Sequence, residues 1–520
     1  MKIRHPAKFV NKLQSEVRIH RFVYLLLLII LSLGLFLRVY RVDQVLGFYF
    51  DQGRDALVIW DFWHNGKLFL VGPTTGIAGI FRGPLYYYLI APFYLIGGGD
   101  PVWPAIFLAL ISVLAIGLIY YLGQKIQNKA TGILAALIAS FSFYIILASR
   151  WLSNPTPMLL LSMLLVLCMC NIADKRAPAS NALRSNAGWW YAISLIVGIS
   201  LFHFGSSGEF FYLPALFIFA IWQRKTLTKK IVFICGLLFF ITASPLLVFD
   251  IRHDGILSNN IKEFLFDQGS FKPNFWDVLP ARLNFFYKAF TNKIFHWMRA
   301  GEILILRVTA ISFLLFLPKY IKNSGVKILI LLLISPVVGL IFFQGNSGNI
   351  YDYYLTGYYL IFVLLFAVVL GNIWQFKLGK LFIGVFVFFF LRLNLDVTWY
   401  KISDRADGPQ AILFKNQKQA VEWIYEDAKT QPFSVDVYVP PVIPYAYDYL
   451  FRWFPTMPKL RVTGTLPPST EPISPLYTLY EYDGTHFELQ ENWIKRQDGI
   501  GVVEKEARFG GITVQRRKRL

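Results

Sequence analysis

Long uncharged stretches, parted by short loops rich in lysine and arginine, set the rhythm of this chain. Apolar runs able to cross a bilayer, or nearly so, lie at about 22–39, 101–122, 131–149, 157–172, 188–204, 209–222, 230–249, 302–318, 326–343, 354–371 and 379–395. A span needs roughly 20 apolar residues, at ~1.5 Å each, to match ~30 Å of hydrocarbon. The pattern predicts about eleven transmembrane helices, with short members such as 209–222 read as tilted or partly re-entrant. After about residue 396 the rhythm changes. KNQKQAVEWIYEDA repeats with a helical period, whereas FSVDVYVPP, LYTLYEYDG and GGITVQRR alternate as strands do. The reading is an α-helical polytopic membrane protein: a transmembrane domain over 1–395, in which 40–100 forms a large outer loop with juxtamembrane helices, and a small α+β domain over 396–520.

Composition agrees with that class, since 56% hydrophobic residues, a mean hydropathy of +0.49 and only 16% charged residues exceed what a soluble core requires. The first run lacks the small-residue cleavage site of a removed signal peptide and is expected to stay in the mature chain. Charge then orients the spans. Lys2, Arg4, Lys8, Lys12, Arg18 and Arg21 precede the first one, and such residues remain cytoplasmic. Alternation places Lys125 and Lys129, Lys175 and Arg176, the QRKTLTKK turn, Lys319, Lys322 and Lys327, and Lys377 and Lys380 on the same side. The net charge of +20 is thus largely an orientation signal, and no soluble basic domain or base-reading motif points to nucleic acid. Cys168, Cys170 and Cys235 fall in or near spans, which indicates neither a disulfide framework nor a thiolate metal site.

Polar candidates gather on the opposite, outer face. Asp51, Arg54 and Asp55 stand at the entrance to a helix just past the first span. They suit a capped juxtamembrane helix, and equally a functional pair of carboxylates on one helix face. A carboxylate beside lipid loses solvation of its charged form, which moves it toward a useful general base, and Asp51 is the candidate for that role. Arg82 precedes Gly83 and Pro84 and then Tyr86, in a segment that reads as an interfacial helix with an aromatic belt; its guanidinium suits a phosphate. Arg150 and Asn154 occupy the next outer loop, as a snorkelling cation and a span start or as ligands of an acid, phosphate or sugar. His203 and Glu209 flank HFGSSGE, Arg252 and His253 end the 230–249 run as candidate phosphate ligands, and Asp352, Tyr353 and Tyr358 mark a later outer entrance.

An acid, several guanidinium groups and aromatic rings at one membrane boundary fit a substrate with an apolar tail and an anionic headgroup, such as a polyprenyl-phosphate sugar. No Walker motif, dinucleotide fingerprint or metal-binding histidine motif is present, so activation must arrive with the lipid. No cofactor is required, although Asp51 and Asp55 leave room for a divalent metal. A transporter or flippase of a lipid-linked saccharide is the alternative; the few ionisable groups inside the spans and the lack of paired broken helices argue against it.

DQGRDA after the first span, RGPLYYY before the next crossing, SRWLSNPTP in the following outer loop, and the many-span plan with an outer domain together resemble the integral-membrane GT-C glycosyltransferases of the protein mannosyltransferase and aminoarabinose-transferase-like group. The resemblance covers positions 20 to 400. It implies a polyprenyl-phosphate-linked sugar donor, a glycan, lipid or protein acceptor, and a multi-pass protein of a bacterial cytoplasmic membrane with its active face and C-terminal domain outside. Asp51 matches the family's first-loop acid, Arg82 and Arg150 match basic positions, and Asn154 stands where several relatives carry an acid.

Overall fold

The computed structural model describes residues 15–520 apart from 17, 77–78, 175–178, 264–274, 296–298, 343–348, 441–442 and 457–467. Lys2, Arg4, Lys8, Lys12, Lys175 and Arg176 lie outside the described residues.

Seven of the apolar runs fold as helices long enough to cross a membrane: Arg21–Val45, Val102–Ile126, Asn186–Phe204, Lys229–Arg252, Ser324–Ile341, Asp352–Ile373 and Lys377–Ile402. The expected count of about eleven is therefore corrected to seven among the described residues, or eight when a bent pair is taken as one span. Length accounts for the difference at three runs. Met158–Ala173 has 16 residues and Arg299–Leu315 has 17, and helices of that size reach only about 24–26 Å. Ser207–Trp222 opens with a five-residue 3-10 turn before its α-helix begins. Hydropathy alone does not separate such segments from full spans.

The fourth departure is a break. Lys129–Phe141 and Phe143–Arg150 meet at 62°, because Ser142 takes an extended conformation (φ −63°, ψ 121°). A break inside an apolar layer strands backbone groups that water cannot serve. Arg38, fully buried in the first span, serves the carbonyl side: Nη2 donates to Ala139 O at 2.9 Å, Nη1 to Ser140 O at 3.0 Å and Nε to Ser112 Oγ at 3.1 Å. Asn394 serves the amide side by accepting from Phe143 N at 2.9 Å, while its own amide donates to Phe390 O at 2.9 Å. At the far end of the half-helix, Arg150 Nη1 donates to Leu37 O at 2.9 Å and Tyr40 O at 3.1 Å. The broken span is thus tied to the first one at its break and at its Arg150 end.

Beyond the last span, a small C-terminal α+β domain carries strands β1 (Ser434–Tyr438), β2 (Leu476–Glu481), β3 (Gly501–Phe509) and β4 (Ile512–Arg519) in the order β1-β2-β4-β3. The β1–β2 pair is parallel and the other two pairs are antiparallel. The predicted helix folds as Phe414–Ala428. A second helix, Tyr445–Trp453, lies on the first outer-loop helix, Phe50–Asn65. Gly53 makes that approach feasible: a Cβ there would run into the backbone of Tyr445 and Ala446. Gln417 Nε2 donates to Phe48 O at 2.9 Å, Trp453 Nε1 to Gly98 O at 2.8 Å, and Tyr449 OH to Gly99 O, so the domain clamps both ends of the first loop.

Candidate active site

The outer-loop helix Phe50–Asn65 forms a rim. Its start is closed by Gln52, whose Oε1 accepts from Tyr49 N at 3.2 Å, and not by Asp51 as the capped-helix reading expects. Asp51 remains in the first turn, where a carboxylate opposes the helix dipole favourably. Arg54 lies between the two acids: Nη1 is 2.9 Å from Asp51 Oδ1, while Nη2 and Nε are 2.8 and 3.0 Å from Asp55 Oδ1. Tyr87 OH adds a third donor to Asp55 at 3.0 Å, and Arg54 Nη1 also donates to Thr74 Oγ1 at 2.8 Å.

The two carboxylates live in different surroundings. Side-chain exposure is 59% for Asp51 and 7% for Asp55, so the burial expected at Asp51 falls on Asp55 instead. Burial pushes the Asp55 carboxyl up to about 6, against the pull of Arg54 and Tyr87. The guanidinium already occupies the space a cation between Asp51 and Asp55 would need, and among the described residues no three His, Cys, Asp or Glu side chains are grouped to hold a metal ion. Tyr86 is fully buried beside this trio, its hydroxyl without a hydrogen-bond partner among the described residues.

A tight loop presents half-buried Arg82. Gly72 N donates to Arg82 O at 2.7 Å, Arg82 N to Pro73 O at 3.1 Å, and Gly83 N to Phe202 O at 2.7 Å. Its electrostatic neighbours are Glu209, Tyr353 and Tyr354. Phe81 packs edge-on against Phe249 at 5.6 Å, and Asn260 Nδ2 donates to Gly79 O at 3.1 Å. These contacts bring the Arg252 segment beside the first loop. Arg252 and His253 are nonetheless exposed, with the His253 ring stacked on Phe249.

Four sequence candidates are engaged with backbone rather than turned toward open space. His203 Nε2 meets Thr242 O at 2.8 Å and Nδ1 accepts from Leu85 N at 3.4 Å. Fully buried Glu209 accepts from Ser206 N at 2.6 Å and Gly357 N at 2.9 Å, joining two 3-10 turns. Tyr358 OH donates to Gly208 O at 2.8 Å, and Asn154 Nδ2 to Phe204 O at 3.1 Å. A polar side chain near a loop reads the same in sequence whether it binds a ligand or fixes its neighbours.

Arg150, Asp352 and Tyr353 come together around a cavity of about 580 Å³. It lies between the second half of the broken span, the 3-10 turn Asp352–Tyr358 and the C-terminal end of the last span. Tyr353 joins it to the Arg82 loop, with its ring 6.0 Å from Trp151. Tyr49, two residues ahead of Asp51, lines it from the rim. Sequence reasoning missed Tyr144 and Lys401 in the wall and Lys293 behind it, whose Nζ is 2.7 Å from Asp352 Oδ2. Lys401 carries a readable signal, a cation at the end of a span that the charge alternation expects to lie outside; Lys293 carries none.

Residues 82–249 match the family described as Dolichyl-phosphate-mannose-protein mannosyltransferase. Among solved structures, ArnT from Cupriavidus metallidurans in the apo state superposes with a TM-score of 0.61 at 11% identity, covering 95% of this chain and 97% of that one. The same protein bound to undecaprenyl phosphate gives a TM-score of 0.60 at 12% identity, with 95% and 98% covered. No curated protein matches the sequence. The chain therefore has a GT-C fold along nearly its whole length, and within it the 82–249 stretch resembles the dolichyl-phosphate-mannose-protein mannosyltransferases.

Proposed function

We propose that this multi-pass membrane protein transfers a sugar from a polyprenyl-phosphate carrier to a hydroxyl or similar acceptor, at the outer face of a bacterial cytoplasmic membrane. The observation that carries the reading is an exposed carboxylate, Asp51, held by Arg54 on a rim that opens through Tyr49 toward a cavity bearing cations. The fold of a protein solved with undecaprenyl phosphate supports the class of donor. Residues 1–395 are the transferase part, with the 40–100 loop carrying the base; residues 396–520 form the outer domain that positions that loop, and the N-terminus is cytoplasmic.

In the proposed step the acceptor hydroxyl loses its proton to Asp51 as its oxygen bonds to the anomeric carbon. The bond from that carbon to the phosphate oxygen breaks, and the electron pair leaves with the phosphate. Arg82, with Arg252 outside it, stabilises the charge that grows there. A single displacement inverts the anomeric centre. Arg54 holds Asp51 in place, and Asp55 and Tyr87 hold Arg54.

A panel of polyprenyl-phosphate sugars offered to membranes containing the protein tests the reading. The wild type releases or transfers sugar from at least one carrier, and Asp51→Asn lowers the rate by about 10²- to 10⁴-fold, the usual contribution of a general base. An unchanged rate removes Asp51 as the base, and a wild type inert toward every carrier removes the transferase reading.

A further inference from the structure

We infer that Lys319, Lys322, Lys377 and Lys380 form a binding site for one phospholipid with two phosphates, a diphosphatidylglycerol, at the ends of the spans remote from the cavity.

Placement is the first argument. The span Asp352–Ile373 starts at the cavity and Lys377–Ile402 ends there, so the turn between them lies at the other end of the bundle. The 22 residues of the first of these, at ~1.5 Å each, separate the two ends by about 33 Å. A second element meets that turn. The short helix Leu317–Lys322 follows Arg299–Leu315, and the ring of Phe316 between them lies 6.3 Å from that of Phe376. Lys319 Nζ donates to Asn372 Oδ1 at 2.7 Å, and Asn372 Nδ2 donates to Tyr320 OH at 2.5 Å. On the other side of the turn, Lys380 Nζ stands 6.0 Å from the centre of the Trp374 ring. Lys322 is one helical turn from Lys319, and Lys377 one turn from Lys380. Two pairs of exposed lysines thus flank one turn.

Charge is the second. Residues 303–351 and 353–395 contain no Asp or Glu. The acids that bound these stretches are engaged elsewhere: Glu302 accepts from Tyr287 OH, Asp352 pairs with Lys293 and Asp396 with Arg392. Across the neighbouring hairpin, Glu16 pairs with Lys129 at 2.7 Å. Among the described residues none of the four lysines is ion-paired with a carboxylate. Cations at span ends orient a chain wherever they stand, but gathering four from two helices at one turn adds mutual repulsion, which an anion between them relieves.

Shape selects the anion. Leu314 and Leu315 lead into the first pair and Leu378 and Leu381 accompany the second, all four exposed beside the lysines. Trp374 and Phe376 are exposed between the pairs, as rings at headgroup level are. A free phosphate would meet the lysines and leave these apolar surfaces uncovered, and a lipid with one phosphate would answer one pair. Two phosphates joined through glycerol, with acyl chains descending from each, answer both, and basic sites between membrane helices take such headgroups.

Native mass spectrometry of the full-length protein in a neutral detergent, titrated with tetraoleoyl diphosphatidylglycerol, tests this. One equivalent binds at least tenfold more tightly than dioleoyl phosphatidylglycerol, which has a single phosphate. Lys322→Gln combined with Lys377→Gln, one lysine from each pair, weakens the two-phosphate lipid at least tenfold. Lys225→Gln combined with Lys229→Gln, the same loss of charge in the QRKTLTKK turn, leaves it unchanged. Equal weakening by both double variants means that the lysines act only as general charge and overturns the site. Undiminished affinity in the Lys322 and Lys377 variant overturns it as well, and equal affinity for the single-phosphate lipid overturns the bridging of the two pairs.

Discussion

The rim and the cavity wall adjoin through Tyr49 and Tyr353, yet they handle charge in opposite ways. On the rim, one guanidinium is shared by two carboxylates, and the trio keeps a net negative charge with one acid buried and one exposed. In the wall, the acid is neutralised by a buried lysine, and among the described residues neither Arg150 nor Lys401 is ion-paired with a carboxylate. Their supports differ as well. The rim is held from outside by the C-terminal domain, through Gly53 against Tyr445 and Ala446. The wall is held from within the membrane by Arg38 and Asn394 at the break in its helix. The exposed carboxylate of Asp51 is thus carried on a part that docks, and Arg150 on a part that is built in.

Separate supports should fail separately, and the wall has more to lose. Arg38→Met leaves the Ala139 and Ser140 carbonyls and the Ser112 hydroxyl without their donor in a buried layer. At about 1–3 kcal/mol for each unsatisfied group, the loss is at least about 3 kcal/mol, read as a lowered melting temperature in detergent. An unmoved melting curve would show that the 62° bend stands without Arg38. Gly53→Ala is the corresponding change on the rim. Its new methyl meets backbone, for a cost of about 2 kcal/mol, read as faster hydrogen exchange in Tyr445–Trp453 and slower sugar transfer. Hydrogen exchange in Phe143–Arg150 stays at the wild-type level. Faster exchange there would mean that the two regions share one support, and the comparison would fail.

What the sequence made legible follows the same division. Uninterrupted apolar runs such as 102–126 and 229–252 announce themselves, and β2 and β4 are legible from their apolar and β-branched residues, although the fold buries most of both strands on both faces. β3 is not legible, because Glu504, Lys505 and Glu506 are exposed in succession along an edge. The break at Ser142 was hidden, since one serine within an apolar run carries no signal of a bend; its cause lies in Arg38 and Asn394, about 100 and 250 residues away along the chain. At the site, Asp51, Arg54 and Asp55 were readable as a group because one helical turn brings them together. Which acid would be buried was not readable, as Tyr87 and the docked domain decide it. His203 and Glu209 looked like Asp352 in sequence and differ from it only in having backbone groups to satisfy.

The smallest effect concerns the buried acid of the rim, and its sign discriminates. Asp55 faces Arg54, Tyr87 and Asp51, and burial outweighs the first two in raising its carboxyl from 3.8 to about 6. The folded rim therefore holds the proton more tightly than the unfolded chain does. The resulting stabilisation is complete below 3.8 and is lost as pH rises through about 6. Between pH 5 and pH 7 the loss is about 1 kcal/mol, seen as a lower melting temperature or faster exchange in Phe50–Asn65 at the higher pH. Asp55→Asn, which cannot ionise, removes that part of the slope over the same interval and leaves the part due to buried Glu209, whose carboxyl burial raises to about 7. Were the slopes of wild type and variant equal, the two bonds from Arg54 would be offsetting burial in full. The rim would then be a balanced ion pair and not a strained acid, and its contrast with the cavity wall would rest on net charge alone.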